Sequence, residues 1–269
     1  MVPEFLLVLV VAVLAYANGA NDMFKGTATV VGSRLGTFRQ VRLWATVWTA
    51  AGAVMAVLLS QSLAKSFSGM GLFGAETVRM PAFAISVALG AALAVLLATR
   101  VGLPVSTTHA ILGALLGAGY VAGASADLAV LWHRFLMPLL VSPLIAIAAT
   151  ALLYRLLVWA APRLVSAQDA CLCVVPDAKE AAANGGVLGL VSRTRLVVGD
   201  TASCGGWTRR IASISMPALH LASSAVVTFA RAVNDTPKIA AMLLILPSWG
   251  AGSGFLLVGL AMALGGFLS

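Results

Sequence analysis

Apolar stretches of roughly 20 residues recur along this chain, each long enough to cross a hydrocarbon core of about 30 Å, and nothing else constrains its fold as much. Lipid offers no partner to backbone N–H and C=O groups, so spanning segments must be helices or a closed barrel. The runs are continuous and do not alternate, which selects helices. With 10% charged residues and a mean hydropathy of +1.01, the 269 residues hold too little charge to cover a soluble surface. The expectation is an all-α, polytopic transmembrane helical protein.

The hydropathy pattern predicts spans at about 3–22, 43–63, 82–99, 104–124, 135–158, 214–233 and 250–268. Phe5–Leu14 followed by Ala15-Tyr16-Ala17 mimics a secretory signal, but the start carries Glu4 and no Lys or Arg, so it is read as the first membrane helix. Gly19, Gly26, Gly32 and Gly36 are expected to interrupt that span, and Pro237 and Pro247 to break the region after the sixth. The fourth, opened by Pro104 and rich in Gly (Gly113, Gly117, Gly119), suits a broken or re-entrant helix.

The net charge of +8 does not point to nucleic acid, because the Lys and Arg residues are scattered between apolar spans. Arg34, Arg39 and Arg42, then Arg100, then the basic residues of the long polar stretch fall on one side, which the positive-inside rule makes cytoplasmic. The N-terminus is then expected outside a plasma or inner membrane. Three regions follow: a first membrane repeat at 1–160, a cytoplasmic linker at 161–213, and the start of a second, inverted membrane repeat at 214–269. Gly185-Gly186, Gly205-Gly206 and mixed charge mark the linker, where no folded domain is expected.

The repeat is visible in the residues. Tyr16-Ala17-Asn18-Gly19-Ala20-Asn21-Asp22-Met23-Phe24-Lys25 lies over Phe229-Ala230-Arg231-Ala232-Val233-Asn234-Asp235-Thr236-Pro237-Lys238 with no gap. Both copies read aromatic-Ala-x-Ala/Gly-x-Asn-Asp-x-x-Lys. An odd number of predicted crossings separates them, so they enter from opposite sides, as in inverted-repeat secondary transporters. An Asp inside a span costs about 2.5–3.5 kcal/mol on insertion scales. Neutral pairing of Asp22 with Lys25 and of Asp235 with Lys238 accounts for the charges. It does not account for Asn21 and Asn234, or for the helix breakers nearby. Asn amides and Asp carboxylates lining a wet cavity, with a coordinated cation or proton, account for both.

Between the copies lies Gly102-Leu103-Pro104-Val105-Ser106-Thr107-Thr108-His109, ahead of an apolar Gly-rich helix. Pro presets a helix start and Ser or Thr caps it. Unpaired N–H groups and a partial positive charge gather there, beside the hydroxyls of Ser106, Thr107 and Thr108. That chemistry suits a tetrahedral oxyanion, although an ordinary capping segment has the same composition.

Gly19-Ala20-Asn21-Asp22 together with Pro104-Val105-Ser106-Thr107-Thr108-His109 resembles the inorganic phosphate transporter (PiT) family, which includes sodium–phosphate and proton–phosphate symporters and some sulfate permeases. The resemblance covers most of the chain. It implies a symporter of inorganic phosphate driven by a H+ or Na+ gradient, with no cofactor, no enzymatic activity and a possible homodimer. Ser106, Thr107 and Thr108 would contact phosphate, while Asn21, Asp22, Asn234 and Asp235 would line the phosphate and coupling-ion sites. The alternatives are a sulfate or other oxyanion permease of the same fold, or a non-transporting fragment.

Two departures stand out. Lys25 and Lys238 occupy positions where the family usually has Asn, so an ammonium there takes the place of a sodium ion or attracts phosphate directly. The family's second Pro-x-Ser-Thr-Thr-His segment is not seen before Ser269, and a C-terminally truncated member is expected.

Other candidates are weaker. Cys171, Cys173 and Cys204 could form a three-thiolate metal site but lack a clear fourth ligand. Arg155 and Arg231, near predicted span ends, read as snorkelling, with Arg231 placed to help hold an anion. Ser106 and His109 have the spacing of a nucleophile and its base, but no third group orients the His. No G-x-x-x-x-G-K-[ST] occurs to suggest nucleotide hydrolysis.

Overall fold

The computed structural model describes residues 2–164, 171–176, 194–199, 213–246 and 251–269. Seven long helices lie among them: α1 (Val2–Asp22), α2 (Phe38–Leu59), α3 (Pro81–Arg100), α4 (Thr107–Val121), α5 (Met137–Leu164), α6 (Met216–Ala240) and α7 (Ala251–Leu268). Each overlaps a predicted span, with α5 running six residues and α6 seven residues past the predicted end. Pro3–Lys25, Phe38–Leu59, Pro81–Arg100 and Leu128–Trp159 are long and apolar enough to cross a membrane. At 15 residues α4 is about 22 Å long, short of the hydrocarbon core, as a broken or re-entrant helix would be.

The chain divides into two compact units, Met1–Leu140 with Ser223–Ser269, and Val141–Ala222. In the first, α1 packs against α3 and α7, α7 also packs against α2, and α4 lies on α3. Leu7, Val11, Leu14 and Ala15 of α1 are fully buried, whereas Leu58, Leu93 and Leu97 on outer faces are exposed and suit lipid contact. Gly19 does not interrupt α1. A Cβ there would stand 2.0 Å from the Met262 carbonyl oxygen, and one on Gly265 would stand 2.0 Å from that of Tyr16. The two glycines bring the backbones of α1 and α7 into contact, the packing that membranes favour where lipid tails are as apolar as Leu.

Local chemistry fixes the ends that matter. Thr37 and Gln40 form a reciprocal capping box at the start of α2. Just past the end of α3, Gly102 takes φ +71, and the N–H groups of Gly102 and Leu103 return to the carbonyls of Thr99 and Ala98. This left-handed cap turns the chain into Leu103-Pro104 and on to α4. Helix α4 begins at Thr107, with Ser106 as its cap, so Pro104 stands in the approach rather than in the first turn.

Pro237 does not break the chain where expected. Helix α6 continues through it to Ala240, followed by a 3-10 segment at Ala241–Ile245. The proline leaves the Val233 carbonyl without its helical donor, and the Ser60 hydroxyl supplies one at 3.3 Å. Pro247 lies outside the described residues.

In the second unit, the polar stretch contains a three-stranded antiparallel sheet, where the sequence reading expects no folded domain. β1 (Cys171–Pro176) is central, between β2 (Thr194–Gly199) and β3 (Ser213–Ser215). Cys171 pairs with Gly199 and Ser215, and Cys173 with Val197 and Ser213. Val174-Val175 and Val197-Val198 supply β-branched residues, but runs this short carry little periodic signal. Cys204 lies outside the described residues, among which no three His, Cys, Asp or Glu side chains gather as a metal site.

Candidate functional site

The site assembles from the end of α1, the approach to α4 and the last turns of α6. Helix α1 stops at Asp22, and Met23–Lys25 continue as a 3-10 turn. Asn21, at that end, holds the α3–α4 connection: its amide donates to the Thr99 hydroxyl at 3.0 Å and the Leu103 carbonyl at 3.1 Å. Its carbonyl oxygen accepts from the Val105 N–H at 3.2 Å. Pro104 between these partners has no N–H to satisfy. Lys25 donates to the Val105 carbonyl at 2.9 Å. The first motif therefore grips the hydroxyl segment through backbone groups that helix α4 does not use.

The three hydroxyls diverge. Ser106 accepts the His109 N–H as a helix cap and meets the His109 ring Nδ1 at 2.8 Å. Thr107, buried, donates to the Asn18 side-chain oxygen one turn before Asp22. Thr108 accepts from the Lys238 ammonium at 2.7 Å, which ties the segment to α6.

The two motif carboxylates share one guanidinium. Arg231 Nη1 lies 3.2 Å from Asp22 Oδ2 and 3.9 Å from Asp235 Oδ2. The other oxygens are also taken: Lys25 pairs with Asp22 Oδ1, and Lys238 lies 3.4 Å from Asp235 Oδ1. Asp22, Asp235 and Lys238 are buried, whereas Lys25 is exposed. Three cations against two carboxylates leave the centre with a formal charge of +1. Beside it an open cleft of about 380 Å³ is lined by Asn21, Phe24, Lys25, Thr99, Leu103 and Pro104 among others.

The structure thus brings together Asn21, Asp22, Lys25, Thr107, Thr108, Asp235 and Lys238, with Ser106 at the adjoining helix cap. Asn234 does not join them; it is exposed on α6. Arg231 is the residue whose weight the sequence reading misjudged. Its side chain is only 12% exposed and bridges carboxylates rather than reaching for a headgroup. The signal was its position four residues before Asp235, one helical turn away. Asn18 and Thr99 were missed too, since their partners lie some 80 to 90 residues away in sequence.

Carboxylates and cations held in pairs inside an apolar helical bundle are costly, and they are found where membrane proteins carry ions or polar solutes. The chain matches the sequence model of the phosphate transporter family over residues 18–269, and it belongs to that family. It is 38% identical over 125 residues to a Helicobacter pylori protein described as a phosphate permease, a match covering 43% of this chain and 23% of that protein. It is 30% identical over 163 residues to a Streptomyces halstedii protein described as a low-affinity inorganic phosphate transporter, covering 59% and 74%. A solved structure of a sodium-dependent phosphate transporter shares the fold, with a TM-score of 0.63 over 99% of this chain and 75% of the other, at 19% identity. The family and fold are those of transporters rather than enzymes.

Proposed function

We propose that the chain is a secondary active transporter, a symporter that carries inorganic phosphate across a cell membrane on the gradient of a cation, H+ or Na+. The observation that carries this reading is the centre of charge +1 joined to the start of α4 through Thr108 and Lys238. Arg231 Nε is buried there and donates no hydrogen bond among the described residues, so the centre retains donor capacity. An oxyanion finds cations and hydroxyls at one place, and the paired carboxylates keep their attraction from becoming a trap. A protonated phosphate oxygen could also donate to Asp22 or Asp235, which a fully ionised sulfate could not.

The two motif copies are the corresponding parts of two inverted halves that alternate access to the site. The N-terminus lies outside, and 161–213 on the cytoplasmic face, in keeping with the basic connections. Relatives described as sodium-dependent phosphate transporters, from Plasmodium falciparum and Toxoplasma gondii, support phosphate as cargo. The test is uptake of radiolabelled phosphate into proteoliposomes under an imposed cation gradient. Accumulation that arsenate inhibits and excess sulfate does not is the expected result. No accumulation, or equal inhibition by sulfate, would refute phosphate as the cargo.

A further inference from the structure

Each of the four carboxylate oxygens of the two motif aspartates faces a cation that belongs to the chain itself. Asp22 Oδ1 faces Lys25 and Oδ2 faces Arg231 at 3.2 Å, while Asp235 Oδ1 faces Lys238 at 3.4 Å and Oδ2 faces Arg231 at 3.9 Å. Lys238 is fixed further by the Thr108 hydroxyl at 2.7 Å and by the Phe67 ring, 5.7 Å from its ammonium. A sodium ion held at these two aspartates would need carboxylate oxygens free to coordinate it. Here the carboxylates are spoken for, and the surplus charge is positive.

We propose that Lys25, Lys238 and Arg231 act as tethered counter-cations at Asp22 and Asp235, so that this site takes its oxyanion without binding sodium. Cation and carboxylate arrive already paired, and the net charge of +1 offers attraction to an anion and repulsion to a free cation. A solute cation would have to displace an ammonium that shares its chain and cannot diffuse away, a competition with high effective concentration on the side of the lysine. Lys25 is the weaker of the two, because its side chain is 37% exposed against 7% for Lys238. Opening a sodium site therefore depends most on Lys238. The oxyanion half of this inference rests on the phosphate reading above, whereas the sodium half does not.

The experiment is retention of radioactive sodium by the purified full chain in detergent, with and without inorganic phosphate, beside a Lys25→Asn/Lys238→Asn variant. The native chain should show no saturable sodium retention, and the variant should acquire it. Phosphate retention by the native chain should change by less than about twofold when choline replaces sodium at constant pH. Saturable sodium retention by the native chain that Asp22→Asn or Asp235→Asn removes would overturn the proposal, as would a folded double variant that stays indifferent to sodium. If the double variant does not fold, Lys238→Asn alone and the native measurement decide the matter by the same two outcomes. Loss of phosphate retention in both media, with sodium still unbound, would count against the phosphate reading and leave the sodium result standing.

Discussion

The two Asn-Asp copies match in sequence and differ in structure. In the first, the helix ends at the aspartate and Asn21 anchors the Leu103–Val105 connection with two hydrogen bonds and Thr99 with a third. In the second, the helix runs on past the aspartate and through Pro237, and Asn234 is exposed. The lysines differ too. Lys25 is exposed and holds a backbone carbonyl, whereas Lys238 is buried and holds a hydroxyl. The aspartates are what the copies have in common, since both are buried and both face Arg231. A motif of this kind supplies a carboxylate by itself, but the work of its asparagine depends on what the rest of the fold brings alongside.

The largest effect expected falls on what the copies share. Asp22→Asn and Asp235→Asn should each abolish phosphate uptake in proteoliposomes while leaving membrane insertion intact; retained uptake in either would show the copies to be functionally unequal. Arg231→Met should come next, because it leaves two buried carboxylates without their common cation. A loss of about 3–5 kcal/mol in unfolding measurements in detergent is expected, the scale for breaking a buried ion pair from one side.

The asparagines sharpen the contrast. Asn21→Ala removes three hydrogen bonds and should cost about 2–3 kcal/mol, whereas Asn234→Ala at an exposed position should stay within about 0.5 kcal/mol. Equal losses would mean that Asn234 has a role this arrangement does not give it. Ser60→Ala should cost about 1 kcal/mol, from leaving the Val233 carbonyl unpaired ahead of Pro237. Pairing it with Pro237→Ala, which restores the helical donor, should recover most of that loss.

Much of this was legible in the residues. Continuous apolar runs placed all seven helices, and the repeated Asn-Asp-x-x-Lys pointed at Asp22 and Asp235 before any geometry was known. The helix breaks were harder. Gly19 serves backbone contact with α7, and Pro237 is accommodated by the hydroxyl of Ser60, which caps the end of α2, so both depend on neighbours remote in sequence. Arg231 read as a snorkelling side chain because its distance from a predicted span end was visible and its distance from Asp22 was not. The sheet in the polar stretch escaped notice because its strands are brief and pair across long intervals, which hydropathy does not report.

At the centre of this account is one guanidinium that forms ion pairs with carboxylates from distant parts of the chain. A double-mutant cycle on Asp22→Asn and Arg231→Gln, read as unfolding free energy in detergent, measures that contact directly. The two substitutions should be non-additive by more than about 1 kcal/mol, the coupling found for residues in contact. Additivity within about 0.5 kcal/mol would place the two groups apart and contradict the shared centre.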